Sequence, residues 1–476
     1  MVMSMRRRPA AALALLAVLL GACSGGGSGT PHPSAAATPS GTPSPAGSGP
    51  ATCPASYAAP DPARPRIRLA FDLTDGLDTV KGSEHVEFTP DLPVRELAFR
   101  LTANTAPSAS AGNSVVVESA TAGPDGAGAF RVEPDGAGPG TQGGLLVLPL
   151  GREVPAGQQV TADIAFTLKL GPGSFDRFGH LRSYAWWGSG QPLLAWERGV
   201  GWHREPLLRF IGESATSEAA NVDLTVTAPA RLTVLASGTP DPPVDAGGGR
   251  RRWHSAADTA RDVSVAAGSY TVKEGTVDGV RLRVGTPQGQ APDGLYADHA
   301  RAIRELAKRF GPFPYPVLSV ARLPLDGGGI EYPGSILMLA DGSLVAVHET
   351  AHQWFYGMVG DSQARDPWLD EAFATYAEQL VNGTPDASAL SLPGRVGGSM
   401  QDFGTDMTGY FTTVYGKGAA ALAAARTAAG PAKFDAALRC YVNANAWRIA
   451  RPADLAKTLA ALPAALSVLR KAGALP

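Results

Sequence analysis

At 476 residues the chain exceeds what one ordinary hydrophobic core organises, so two folded domains plus accessory sequence are expected. Charged residues at 18% and hydrophobic ones at 44% are ordinary for a soluble protein, while 57 Gly and 40 Pro point to long loops and a low-complexity stretch. A formal net charge of -2 gives no reason to expect nucleic acid as a partner.

The N-terminus carries Arg6, Arg7 and Arg8 before an apolar run over 10–20, too short to span a bilayer as a mature helix and patterned as an export signal. The run closes on Leu20-Gly21-Ala22-Cys23, which resembles a bacterial lipobox. That resemblance makes residues 1–22 a lipoprotein signal peptide and Cys23 the lipidation site, and places the protein outside the cytoplasm, attached to the cell membrane. An ordinary signal peptide with a chance Cys is the alternative, and the Arg triplet leaves the general secretory and twin-arginine routes both open. Residues 23–65 are mostly Ser, Gly, Thr, Pro and Ala, with almost nothing large to bury, and are expected to stay a disordered linker. Cys53 and Cys440 then remain, and a disulfide and two free thiols stand as equal alternatives.

Over 66–275 short alternating or β-rich runs recur between Pro, Gly and Asp, at 67–73, 85–88, 114–117, 144–150, 159–168 and 222–227. This is the pattern of an all-β domain, with turns spaced as in sandwiches and no convincing helical period. Over 276–476 helical periods take over: Leu295, Ile303, Leu306 and Phe310 share one face of a helix ending at Gly311, and 318–322 and 335–339 supply strands of a small sheet.

His348-Glu349-Thr350-Ala351-His352 follows Ser343 as a helix cap and runs toward a stop at Gly357. On a helix the i, i+4 spacing puts both imidazoles on one face, where they can share a metal, and Glu349 beside them is placed to take a proton from water activated by that metal. Asp366-Pro367 opens a second helix carrying Glu371, eighteen residues beyond His352. Two His and one Glu make a zinc ligand set with an open coordination position.

The string HETAHQW followed by WLDEAFATYAE resembles the aminopeptidase N family of zinc metallopeptidases, in the gluzincin clan. Arg309-Phe310-Gly311-Pro312-Phe313-Pro314-Tyr315-Pro316 is similar to the family's stretch before the catalytic strands, and Val222-Asp223-Leu224-Thr225-Val226 to its saddle-like β domain. The resemblance implies a multi-domain protein: an N-terminal all-β saddle or sandwich, then a thermolysin-like α+β, mostly helical catalytic domain with one zinc, hydrolysing peptides. Gly327-Gly328-Gly329-Ile330-Glu331-Tyr332 resembles the Gly-Gly-Met-Glu-Asn motif, which implies substrate lying along Gly328 and Gly329 with Glu331 gripping its free α-amino group. Ile330 replaces Met and Tyr332 replaces Asn, the second change altering the expected pocket wall.

Val414-Tyr415-Gly416-Lys417-Gly418-Ala419 is similar to the segment with the family's catalytic tyrosine, which makes Tyr415 the donor to the oxyanion. Asp370 stands where the family usually has Asn, which implies support for a ligand imidazole, and Glu378, seven residues after Glu371 on the same helical face, either orients a ligand His or is a solvated charge. Glu197 is a candidate second carboxylate for the amino terminus, and His203 and the Trp186-Trp187 pair are expected in core or interdomain packing. The chain stops at Pro476, short of the long helical C-terminal domain of many members, which implies a more open cleft. An endopeptidase, an epoxide hydrolase on the same scaffold, and a non-catalytic surface binding protein are the other readings; the sequence does not set oligomeric state.

Overall fold

The computed structural model describes residues 53–123, 126, 128–173, 177–207, 216–384 and 386–476. The signal segment 1–22, Cys23 and most of the expected linker lie outside the described residues. Among the described residues no helix is long and apolar enough to cross a membrane.

Strict alternation builds the first half. In Arg66–Leu73 every second residue is buried, so Ile67, Leu69, Phe71 and Leu73 face one way while the charged residues face water. This strand sits centrally in an eight-stranded sheet, antiparallel to Thr79–Phe88 and parallel to Ala220–Pro229, with Val160–Lys169, Ser114–Ala122 and Arg250–Ala260 further out. Two four-stranded sheets, one built on Val94–Arg100 and Leu145–Val154 and the other on Ser264–Gly268 and Tyr184–Gly188, and a two-stranded pair, Trp196–Glu197 with Gly201–Trp202, accompany that sheet in the β half. Phe71, Phe166 and Trp187 meet edge to face within its core. All six expected strands are present and most are longer than their apolar runs. A single helical turn, Ala106–Ser110, also occurs here; five residues opened by Pro107 and capped by Thr105 are too few to show a period.

A five-stranded sheet follows, in the order Tyr270–Val277, Val280–Pro287, Val317–Arg322, Ser335–Met338, Gly329–Tyr332. Residues 270–275, assigned by sequence to the β domain, thus pair within the second half. The expected boundary followed the onset of helical period, which this hairpin precedes. Helix Asp293–Phe310 crosses between two parallel strands, buries Leu295, Ile303, Leu306 and Phe310, and ends at Gly311, whose φ of 103 is one that glycine adopts without strain. The helices Ser343–Ala351, Trp368–Asn382, Gly418–Ala429 and Pro431–Asn445 pack into a second core around Trp354, Phe373, Leu422 and Tyr441.

The linker expectation fails at its C-terminal end. Cys53 is disulfide-bonded to Cys440, and Tyr57 and Ala58 pack against the helical core. One aromatic and one covalent cross-link are enough to dock a segment whose composition alone reads as unstructured.

Candidate metal and peptide-hydrolysis site

The helix Ser343–Ala351 starts after Gly342, whose φ of 115 turns the chain into it; Ser343 is its first residue, and the Ser343 hydroxyl accepts from Arg301 rather than capping. It ends sooner than expected. His352 is the C-terminal cap, and tight turns carry the chain through Gly357. His348 and His352 nevertheless lie one turn apart on one face, their ring centroids separated by 4.8 Å.

Glu371 enters from the first turn of Trp368–Asn382, which begins directly after Pro367. Its Oε2 lies 3.3 Å from Nε2 of His348 and 3.4 Å from Nε2 of His352, so both imidazoles turn the same nitrogen toward one carboxylate oxygen. One ligand atom from each of the three residues falls within 4.8 Å of the others. The Nδ1 atoms point outward, that of His352 at 2.5 Å from Asp370 Oδ1 and that of His348 at 3.4 Å from Glu378 Oε2. With Nδ1–H given to a carboxylate, each Nε2 keeps its lone pair for a metal.

The electrostatics point the same way. Burial disfavours charge on His348, yet Glu371 and Glu378 raise it to about 10; His352 is raised by Asp370, Glu331 and Glu371 against the same burial cost. Burial would raise Glu371, but the two imidazoles hold it far below the ordinary carboxylate range. A site that so favours positive charge suits a divalent cation bound between neutral imidazoles and a carboxylate. The donor set is borderline-soft nitrogen plus oxygen, as zinc prefers.

Glu349 lies beside this triad, buried, with its carboxylate over the edge strand Gly329–Tyr332. A methyl at Gly329 would sit 2.4 Å from Glu349 Cδ, so only glycine lets the strand pass this close. Gly328 accepts from the Leu339 amide at 2.9 Å and prolongs the hairpin. Glu331 on the same strand brings a carboxylate oxygen within 4.8 Å of ligand-type atoms of Glu349 and His352. Its Oε1 is buried with no hydrogen-bond partner in the described structure, and burial raises its pKa to about 7 despite His352.

Tyr332 does not alter the cleft wall as its sequence position implies. Its ring is fully buried, packed where Gly188 of the β half leaves room, and its hydroxyl meets Arg177 at 3.0 Å. Tyr415 stands across the site, its ring parallel to that of His348 at 5.9 Å. It rides on a π-helical segment, Phe411–Lys417, a wide turn often found where a functional side chain must be re-aimed.

Glu197, the candidate second carboxylate for the amino terminus, is already engaged by cations. His203 at 2.6 Å, Arg451 at 2.5 Å and Arg365 enclose it, and together they draw it down to about 2 against its burial. The network joins the β half to the helical half, which accounts for His203; Trp186 and Trp187 are core residues. Reading the sequence missed three residues that support the site. Arg177 braces Tyr332, Gln353 joins the Gly334 amide and the Tyr332 carbonyl, and Gln363 reaches Asp370 at 3.3 Å. Arg177 and Gln363 lie in loops or turns without a motif, whereas Gln353 falls inside the HETAHQW string next to His352, which was its signal.

No family model matches the chain. It is 26% identical over 235 residues to aminopeptidase M1-B of Oryza sativa subsp. japonica, a match covering 40% of this chain. Only 26% of that relative's length is spanned, so the likeness concerns one part of a longer protein. An M1 zinc metallopeptidase from Deinococcus radiodurans superposes with a TM-score of 0.64 at 21% identity, over 86% of this chain and 92% of that one. The chain shares the M1 zinc metallopeptidase fold. A variant of the Deinococcus radiodurans M1 protein, bound to a Tyr-Ser-Ala substrate, matches with a TM-score of 0.63 at 21% identity over 86% and 94% of the two chains. At this identity the M1 likeness speaks to fold, and the chemistry rests on the residues above.

Proposed function

We propose that this chain is a zinc-dependent aminopeptidase working outside the cytoplasm, with His348, His352 and Glu371 as metal ligands, Glu349 as general base, Tyr415 as oxyanion donor and Glu331 as the anchor for the substrate's free amine. The observation carrying the reading is the unpartnered, buried oxygen of Glu331 beside Glu349 and His352, on an edge strand held one glycine away from the base. A buried carboxylate without a partner is costly, and an α-ammonium group offers what it lacks. The peptide bound to the M1 fold of Deinococcus radiodurans supports peptides as the substrate class.

Zinc, when bound, supplies a Lewis acid that polarises the scissile carbonyl and makes water more acidic. Glu349 accepts the proton of the attacking water and passes it to the leaving amine as the peptide bond breaks. The Tyr415 phenol, protonated at neutral pH, donates to the oxygen that gains charge. Glu331 fixes the amino terminus, so one residue reaches from anchor to scissile bond. Gly328 and Gly329 let the substrate backbone lie against the edge strand.

Lipid attachment at Cys23 after removal of residues 1–22 would hold the enzyme at the membrane through the polar tether, and is supported by the lipobox sequence. The proposed domains are an N-terminal β saddle or sandwich and a thermolysin-like catalytic domain, with the hairpin from Tyr270 belonging to the second. A fluorogenic panel of free and acetylated aminoacyl substrates, with and without chelator, tests the activity. Hydrolysis of free-amine substrates alone, lost with chelator and restored by zinc, is expected; equal hydrolysis of blocked substrates would make it an endopeptidase. Metabolic labelling with a fatty acid, compared between the parent and Cys23→Ala, tests the anchor; equal labelling would remove it.

A further inference from the structure

We propose that residues 53–58 form a disulfide-fastened latch that positions the metal-binding helix end, with Tyr57 as its positioning residue. The proposal rests on the aminopeptidase reading for its catalytic consequence only. His352 is the C-terminal cap of its helix, so the turn that follows must fix its backbone. Two side chains anchor that turn. Gln353 is held by the Gly334 amide and the Tyr332 carbonyl of the substrate-strand hairpin. Trp354, fully buried, donates its indole N–H to Tyr57 at 3.1 Å, a residue 297 positions upstream.

Tyr57 is built into this place. Its hydroxyl donates to the Pro312 carbonyl, just past the end of helix Asp293–Phe310. Gly311 makes the room: a methyl there would sit 2.7 Å from the Tyr57 hydroxyl. The phenol is buried enough that its pKa is pushed up to about 12, so it remains a hydroxyl able to donate to Pro312 and accept from Trp354 at once.

Little else holds the segment. Asn443 accepts from the Ala58 amide and donates to the Pro54 carbonyl, each at 2.8 Å, and the Cys53–Cys440 bond closes a separation of 387 residues. Six residues tied by so few contacts would dock only part of the time if free. The covalent link raises their local concentration and keeps Tyr57 under Trp354. Loss of the latch leaves a buried indole N–H without an acceptor on the turn next to a metal ligand.

The test compares oxidised parent, reduced parent, a Cys53→Ser/Cys440→Ser variant and Tyr57→Phe. Three readouts are zinc release to a chromogenic chelator, kcat and KM on a free-amine substrate, and hydrogen exchange over 343–358 in metal-free protein. Without the latch, zinc release is expected to rise on the order of tenfold. kcat should fall with KM little changed, and exchange should rise over 343–358 but not over 317–322; reoxidation of the parent should reverse all three. Parental zinc release and parental exchange in the latch variants, even with a lower melting temperature, would overturn the proposal. If the oxidised parent holds no zinc and cleaves no peptide, the aminopeptidase reading falls, and the exchange measurement still decides the latch.

Discussion

Glu84 and Glu331 are both buried carboxyl groups, the first with both oxygens and the second with Oε1 lacking a partner, yet their surroundings differ in kind. Glu331 stands beside Glu349 and His352, and in the proposed function a substrate ammonium group supplies the partner its Oε1 lacks. Glu84 lies mid-strand in the β core, registered against Leu69 and Ile164, and burial alone raises its pKa well above the ordinary value. A carboxyl raised on folding binds more protons folded than unfolded, so its stability contribution is lost as pH rises from about 4.5 through the folded value. Glu84→Leu is therefore expected to stabilise the protein at pH 7 by about 1–3 kcal/mol and by less at pH 4, measured by urea unfolding at both. No gain at pH 7 would show that the buried carboxyl of Glu84 carries no such cost. At the active site Glu349→Gln keeps shape and removes the base. It should retain one zinc by metal analysis while turnover drops about 10²–10⁴-fold, and parental turnover would sink the assigned role.

At the level of elements, the close pass between the Glu349 helix and the strand Gly329–Tyr332 sets the geometry of the base. Gly329 has an ordinary backbone, so alanine costs nothing in conformation and acts only by pressing on the Glu349 carboxylate. Gly329→Ala should keep zinc and melting temperature but lose on the order of 10²-fold in kcat, since displacement by about 1 Å has that effect. Gly328→Ala, which meets nothing within 4 Å, should lose far less. Equal losses from both would point to the substrate rather than Glu349 as the group displaced.

The helices bearing His348, His352 and Glu371 were legible because ligand spacing and helical period coincide, and Arg66–Leu73 was legible because its burial alternates. The π-helical turn under Tyr415 was not, because such turns are rare and single and leave no periodic residue pattern. Nor was the docking of Tyr57, whose partners Pro312 and Trp354 lie more than 250 residues away.

Across the whole molecule, Glu197 ties the halves together. From the β half it meets His203, and across the boundary Arg365 and Arg451 of the helical half. Arg365 sits in the loop before the Glu371 helix, two residues from Gln363, which holds Asp370, which in turn orients His352. This series of contacts leads from the β half toward His352. Burial opposes the charge on Glu197, but its cations bring it down to about 2, so its contribution is present above about pH 4.5 and lost as pH falls toward 2. Both arginines are substantially solvent-exposed, which screens the pairs and discounts the figure for a fully buried bridge. Glu197→Gln should then cost about 1–3 kcal/mol at pH 7 in chemical unfolding, and little near pH 2, where the parent has lost the same charge. It should also speed zinc release at pH 7, since the loop carrying Gln363 loses its clamp. A variant with lowered stability but parental zinc kinetics would confine the network to holding the halves together and break the link to His352.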